Sequence, residues 1–143
     1  SPSGFEKLCQ HILDRLGFEQ VEVTGKSHDG GIDGTAIIRQ MSVLSSRVYF
    51  QCKRYNANNP VTVDMIRSFI GAILTGHGQG TRGLYMTTGR FTKEAEQLAI
   101  NSSNIPIDTI DGGQLAERMR SLELGGNEVS VFRINRNFFQ QFS

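Results

Sequence analysis

Apolar residues at Phe5, Leu8, Cys9, Ile12, Leu13 and Leu16 recur at the spacing of one helix face, and Gly17 closes the run. Ser3 followed by Glu6 has the form of a capping box at its start. Phe18 to Val23 reads as a first strand, followed by a polar loop from Thr24 to Gly30. Two more strands follow, Gly31 to Ile38 and the run Tyr49-Phe50-Gln51-Cys52-Lys53-Arg54-Tyr55, with Met41 to Ser46 connecting them. Asn56 to Pro60 is a turn, after which Val63, Ile66, Phe69, Ile70, Ile73 and Leu74 mark a second helix that stops in Gly76-His77-Gly78-Gln79-Gly80. Gly83 to Thr87 is a short apolar strand, Thr92 caps a helix to about Ser102, Ile105 to Ile110 is a strand, and a last helix runs through Leu122.

The order αβββαβαβα predicts an α/β fold with a mixed central sheet and helices on both faces. These elements fill residues 1–124 as one domain. In the tail, 125–143, Val129, Val131 and Arg133 alternate before the polar and aromatic stretch Asn135 to Ser143, which predicts a short strand leading into a linker.

A chain of 143 residues with 38% hydrophobic and 20% charged content is long enough for one sizeable core. No stretch approaches the roughly 20 apolar residues that span a bilayer, and no signal peptide opens the chain. Cys9 and Cys52 fall on a predicted helix and an interior strand, which suits buried thiols in a reducing, cytoplasmic compartment. The net charge of +1 excludes binding of nucleic acid by bulk charge, so any such contact must use a local patch. Lys53, Arg54, Arg82, Arg90 and Lys93 are its candidates, against the alternative of a solvated scatter. The sequence begins at Ser-Pro-Ser-Gly without methionine and reads as an excised domain, with a target-reading domain expected elsewhere.

The chemistry concentrates in Gly30-Gly31-Ile32-Asp33-Gly34 and Gln51-Cys52-Lys53. Alternation along a strand sends Tyr49, Gln51 and Lys53 to one face and Val48, Phe50 and Cys52 to the other. If the two runs pair as a hairpin, a carboxylate, an amide oxygen and an ammonium converge on one spot. That set suits a hard divalent cation with a water beside it. Asp33 is the first candidate ligand; the alternative is a glycine turn in which it caps amides. Gln51 would add its side-chain oxygen and Cys52 its backbone carbonyl, although a half-buried glutamine also serves simply as a hydrogen-bonding group. Lys53 would orient the attacking water and stabilise phosphate charge, or act as general base if its pKa is strongly lowered. Thr87, Thr88 and the start of the next helix, with Lys93, are candidate phosphate contacts or merely a strand end and cap. Zinc spacing, Walker and dinucleotide glycine loops and GxSxG are all absent from the sequence. His11, His28 and His77 are isolated in sequence and read as surface or helix-face residues rather than ligands, with His28, next to Asp29 in the loop before the site, the one to watch.

From Gly4-Phe5-Glu6-Lys7-Leu8 through Leu16-Gly17-Phe18, Gly30 to Gly34, Gln51 to Tyr55 and Met86-Thr87-Thr88 to Ile110-Asp111-Gly112, the chain resembles the catalytic domain of Mrr-like restriction endonucleases. This is a branch of the PD-(D/E)xK nuclease superfamily, and the resemblance reaches to about Leu122. The usual pattern has an acid two residues before the lysine; Gln51 stands there instead, as it commonly does in this branch, and one negative charge is missing. The resemblance implies a restriction-endonuclease-like fold and Mg²⁺-dependent hydrolysis of DNA phosphodiester bonds, with Mn²⁺ as a possible substitute. The implied site is Asp33, Gln51, Lys53 and Glu6, where a helix-one glutamate such as Glu6 helps to bind metal; here the same residue also completes the capping box. The implied setting is the nuclease domain of a modification-dependent bacterial or archaeal restriction enzyme acting on double-stranded DNA. One such site cuts one strand, so duplex cleavage calls for a homodimer or larger homo-oligomer. The alternatives are a structure-specific resolvase or repair nuclease, and a catalytically silent DNA-binding module; intact Asp33, Gln51 and Lys53 argue against the last.

Overall fold

The structure, a computed structural model, describes residues 2–23, 32–41, 44–56, 58–76, 81–122, 126–127, 133–134 and 136–142. Helix α1 (Pro2–Arg15) is followed by β1 (Glu19–Val23), β2 (Gly34–Met41) and β3 (Leu44–Lys53), then α2 (Val63–Gly76), β4 (Thr81–Thr87), α3 (Lys93–Asn101), β5 (Ile107–Ile110) and α4 (Gly112–Ser121). The five strands form one sheet in the order β1-β2-β3-β4-β5. The first three are antiparallel neighbours, whereas β3, β4 and β5 run parallel. The expected mixed sheet is therefore present, and α2 and α3 are the crossovers that parallel pairing requires.

Alternation sorts the core into two layers. Val48, Phe50 and Cys52 of β3 and Leu84 and Met86 of β4 pack on α1 and on Leu115 and Met119 of α4. Tyr49 and Tyr85 face the other way, against Ile66, Phe69 and Ile73 of α2 and Ala95 and Ala99 of α3. Each fully buried Ile or Phe contributes about 1.5–3 kcal/mol, so a one-residue slip of β3 would exchange both layers and is strongly disfavoured.

Gly17 and Thr92 act where expected, and Asp111 adds a cap not expected from the sequence. Gly17 takes φ +96°, and the Phe18 N–H reaches back to the Leu13 carbonyl to end α1. Thr92 caps α3, accepting from the Ala95 N–H. Asp111 and Gln114 form a reciprocal capping box on α4.

Three local expectations change. Helix α1 is already helical at Pro2, a residue tolerated in a first turn, so Ser3 lies within that turn and is not the N-cap that a box with Glu6 requires. The β2–β3 hairpin runs to Met41 and resumes at Leu44, with Ile38 opposite Ser46 and Arg39 opposite Ser45. Pairing, rather than strand propensity, extends it through the serines. The tail, expected as a strand and linker, carries β6 (Gly126–Asn127), β7 (Arg133–Ile134) and a short helix α5 (Arg136–Gln140). Phe138 and Phe139 of α5 and Phe142 of the turn after it pack against the α1 layer. Val129, Val131 and the loop 24–31, with His28, Asp29, Gly30 and Gly31, lie outside the described residues, as does His77.

Candidate functional site

The C-terminal end of β3 opens into a cleft of about 340 Å³ lined by Phe5, Glu6, Asp33, Gln51, Cys52, Lys53, Arg54 and Tyr55. Size does not single it out: a hollow of about 450 Å³ beside β5, lined in part by Leu16, Phe18, Leu84 and Ile100, is larger but mostly apolar. Its chemistry does, because the hairpin and α1 bring the expected carboxylate, amide and ammonium, with Glu6, to one place.

Asp33 sits immediately before β2 and is 6% exposed. Its N–H donates to the Phe50 carbonyl at 2.9 Å, and its carboxylate Oδ2 accepts from the Cys52 N–H at 2.7 Å. The last β2 residue paired to β3 is Gly34, opposite Phe50. The carboxylate thus takes over, for Cys52, the acceptor role that the ladder no longer supplies. Capping an amide and binding a cation are compatible, since a carboxylate offers about four lone-pair sites. Gly34 also has a structural reason to be glycine: a Cβ there would come within 2.2 Å of the Glu22 carbonyl and 2.5 Å of the Phe50 ring.

Burial raises the Asp33 carboxyl from 3.8 to about 6. The bond from Cys52 opposes this, Glu6 adds to it, and Lys53 lowers it again. A desolvated carboxyl beside a second carboxylate favours an added positive charge. Gln51 is 1% exposed, and its Oε1 is buried without a hydrogen-bond donor. A buried acceptor of this kind calls for a water or a cation. Among the described residues no three of His, Cys, Asp and Glu are grouped to hold a metal. A cation in this cleft would therefore draw on amide and backbone oxygens as well as carboxylates, a hard-oxygen set that fits Mg²⁺ or Mn²⁺.

Lys53 is half-buried and Arg54 exposed, both at the rim. The remaining basic candidates, Arg82, Arg90 and Lys93, do not line the cleft. Arg82 pairs with Val48, five residues back along β3 from Lys53 or about 16 Å at strand rise, and forms an ion pair with Asp108. Thr87, Thr88 and Lys93 do not line the cleft. Thr87 is fully buried, and its hydroxyl accepts from the Gly89 N–H. The Thr88 hydroxyl accepts from the Tyr55 N–H and donates to the Tyr55 carbonyl, which ties the loop after β4 to the end of the motif. Lys93 is exposed at the start of α3. Cys9 and Cys52 are free, buried thiols, as expected.

Sequence reasoning had assigned no role to Phe5 or Tyr55, which line the cleft, or to Tyr85, which lies beside Gln51 in the ladder. Phe5 carried only a core-helix signal and Tyr85 only a core-strand signal.

A family model of restriction endonucleases, Mrr_cat, matches residues 1–119. Three solved structures share the fold. AspBHI, a DNA modification-dependent restriction endonuclease, aligns at a TM-score of 0.70 and 22% identity over 86% of this chain and 32% of its own. The MspJI restriction endonuclease, solved in complex with a 27-mer oligonucleotide, gives 0.60 and 22% over 83% and 28%. AF1548, a protein of unknown function, gives 0.65 and 18% over 94% and 72%. The chain thus spans about a third of the length of the two restriction enzymes. No curated protein matches it.

Proposed function

The chain belongs to the Mrr_cat family of restriction endonucleases, and we propose on that premise that it is a divalent-metal-dependent nuclease domain hydrolysing phosphodiester bonds of double-stranded DNA. The observation that carries this reading is the meeting of Asp33, Gln51, Lys53 and Glu6 in one cleft, with the Gln51 oxygen buried and unpaired.

In this reading Asp33, Gln51 Oε1 and the Cys52 backbone carbonyl hold Mg²⁺, or Mn²⁺ in its place, and Glu6 contributes a second carboxylate from α1. When bound, the cation supplies Lewis-acid polarisation of the phosphate and a lowered pKa for an attacking water. Lys53 stands beside Asp33 and Gln51 at the rim, where its ammonium orients that water and offsets charge growing on the phosphate. Attack on phosphorus forms one P–O bond and breaks another, leaving a hydroxyl and a phosphomonoester. Arg54, exposed at the same rim, contacts a neighbouring backbone phosphate. Recognition of a modified base belongs to a separate unit, and duplex cleavage to two copies of the site. The first accords with the chain spanning about a third of the two restriction enzymes, and the second with one such site cutting one strand.

Incubating supercoiled plasmid with the chain, with and without Mg²⁺, tests the reading. Nicking that requires the metal and disappears in chelator is the expected result. Absence of nicking across Mg²⁺ and Mn²⁺ titrations of the folded protein would overturn it.

A further inference from the structure

Gln51 and Tyr85 are register partners on the parallel strands β3 and β4. Their side chains therefore leave the same face of the sheet, from strands about 4.8 Å apart. Tyr85 is 0% exposed and Gln51 1%. Both carry a buried polar atom with no partner, Oε1 of Gln51 and the hydroxyl of Tyr85, and these are the two such atoms found among the described residues. One is an acceptor and the other a donor. The Tyr85 ring is held edge-on by Phe69 at 5.3 Å and Phe91 at 5.9 Å, so packing rather than hydrogen bonding sets where its hydroxyl lies. Asp33, Tyr55 and Cys52, all lining the cleft, also bear electrostatically on that hydroxyl. Burial, the largest influence, pushes the phenol well up, so it remains a donor.

We propose that Tyr85 is a positioning residue for the metal site, its hydroxyl donating through one water to Gln51 Oε1 so that the amide presents oxygen, and not nitrogen, to the cation. The inference rests on the nuclease reading above. A glutamine in place of an acid makes such a device necessary. A carboxylate offers oxygen at both positions, whereas an amide turned by half a rotation offers an NH₂ group that repels a cation. A neighbouring donor fixes the polarity, and the oxygen keeps a second lone pair for the metal.

Tyr85→Phe in the full chain tests the proposal, because it removes one oxygen and keeps the ring contacts. Thermal unfolding should show at most a small drop in the midpoint, since the ring contacts with Phe69 and Phe91 stay and one hydrogen bond is lost. Mn²⁺ binding by calorimetry should weaken about tenfold, the usual scale for a group that orients a ligand. In a Gln51→Glu background, where both terminal atoms are oxygens, the same Tyr85→Phe change should alter Mn²⁺ affinity less than about twofold, since the two positions are coupled only through the amide. Wild-type Mn²⁺ affinity in Tyr85→Phe would overturn the proposal, as would an equal loss in the Gln51→Glu background. If the wild-type chain itself neither binds Mn²⁺ nor nicks plasmid, the nuclease reading fails and this inference falls with it.

Discussion

Asp33→Asn should stabilise the metal-free protein at high pH while destroying its activity. The carboxyl is 6% exposed and titrates near 6 instead of 3.8, chiefly through burial. A raised acid pKa means that the folded state holds its proton longer than the unfolded state. The stability this gives is complete below about pH 3.8 and is lost as pH rises through about 6. A shift of roughly two units at about 1.36 kcal/mol each amounts to about 3 kcal/mol in full, of which roughly 2–3 kcal/mol falls between pH 4 and pH 8. Asparagine keeps an oxygen to accept from the Cys52 N–H and carries no charge to desolvate.

The assay is urea unfolding of both proteins in chelator at pH 4 and pH 8, reporting the mutant-minus-wild-type difference at each pH so that other titrating groups cancel. That difference should grow by roughly 2–3 kcal/mol in favour of Asp33→Asn on going to pH 8. Saturating Mg²⁺ at pH 8 should stabilise the wild type and leave Asp33→Asn unchanged, because the cation meets the charge that burial leaves exposed to no solvent. A difference that stays constant with pH would refute the raised carboxyl. A difference that moves the other way would mean that Lys53 already balances the charge, and that the site has no electrostatic demand for a cation.

Lys53→Ala should fold normally, as its side chain stands half-buried at a strand end, but lose at least about a hundredfold in nicking rate; near-wild-type nicking would remove Lys53 from the chemistry. Glu6→Gln should leave the melting temperature almost unchanged, because α1 starts at Pro2 and no box with Ser3 depends on the carboxylate. Its Mg²⁺ affinity and cleavage should fall about tenfold, and unaltered cleavage across a Mg²⁺ titration would leave Glu6 without a role at the metal. The 143-residue chain should bind duplex DNA weakly and with strong salt dependence, and should favour methylated over unmethylated sites little if at all. A clear methyl preference at fixed salt would place base readout in this chain.

Much of this arrangement is local in origin and legible in the sequence. Alternation at Val48 to Lys53 says which side chains share a face, because the strand period is two whatever the partner. The 3.6-residue rhythm of α1 and α2 gives their buried stripes, and Gly17 and Thr92 end or start elements through their own backbone chemistry. The proximity of Asp33 to Gln51 follows once the hairpin is assumed, since antiparallel pairing sets the start of one strand beside the end of the next.

Long-range pairing is a different matter. Periodicity specifies a face but not the neighbour across it, and the β3–β4 register is set by a crossover through α2 and by how the two layers pack. Only that register puts Tyr85 beside Gln51 and carries Arg82 away from Lys53. Only the docking of α1 on the sheet delivers Glu6 to the cleft, and only burial of Asp33 moves its carboxyl to about 6. The sequence supplied the ligand types; desolvation and neighbours, which exist only in the folded chain, gave them their electrostatics.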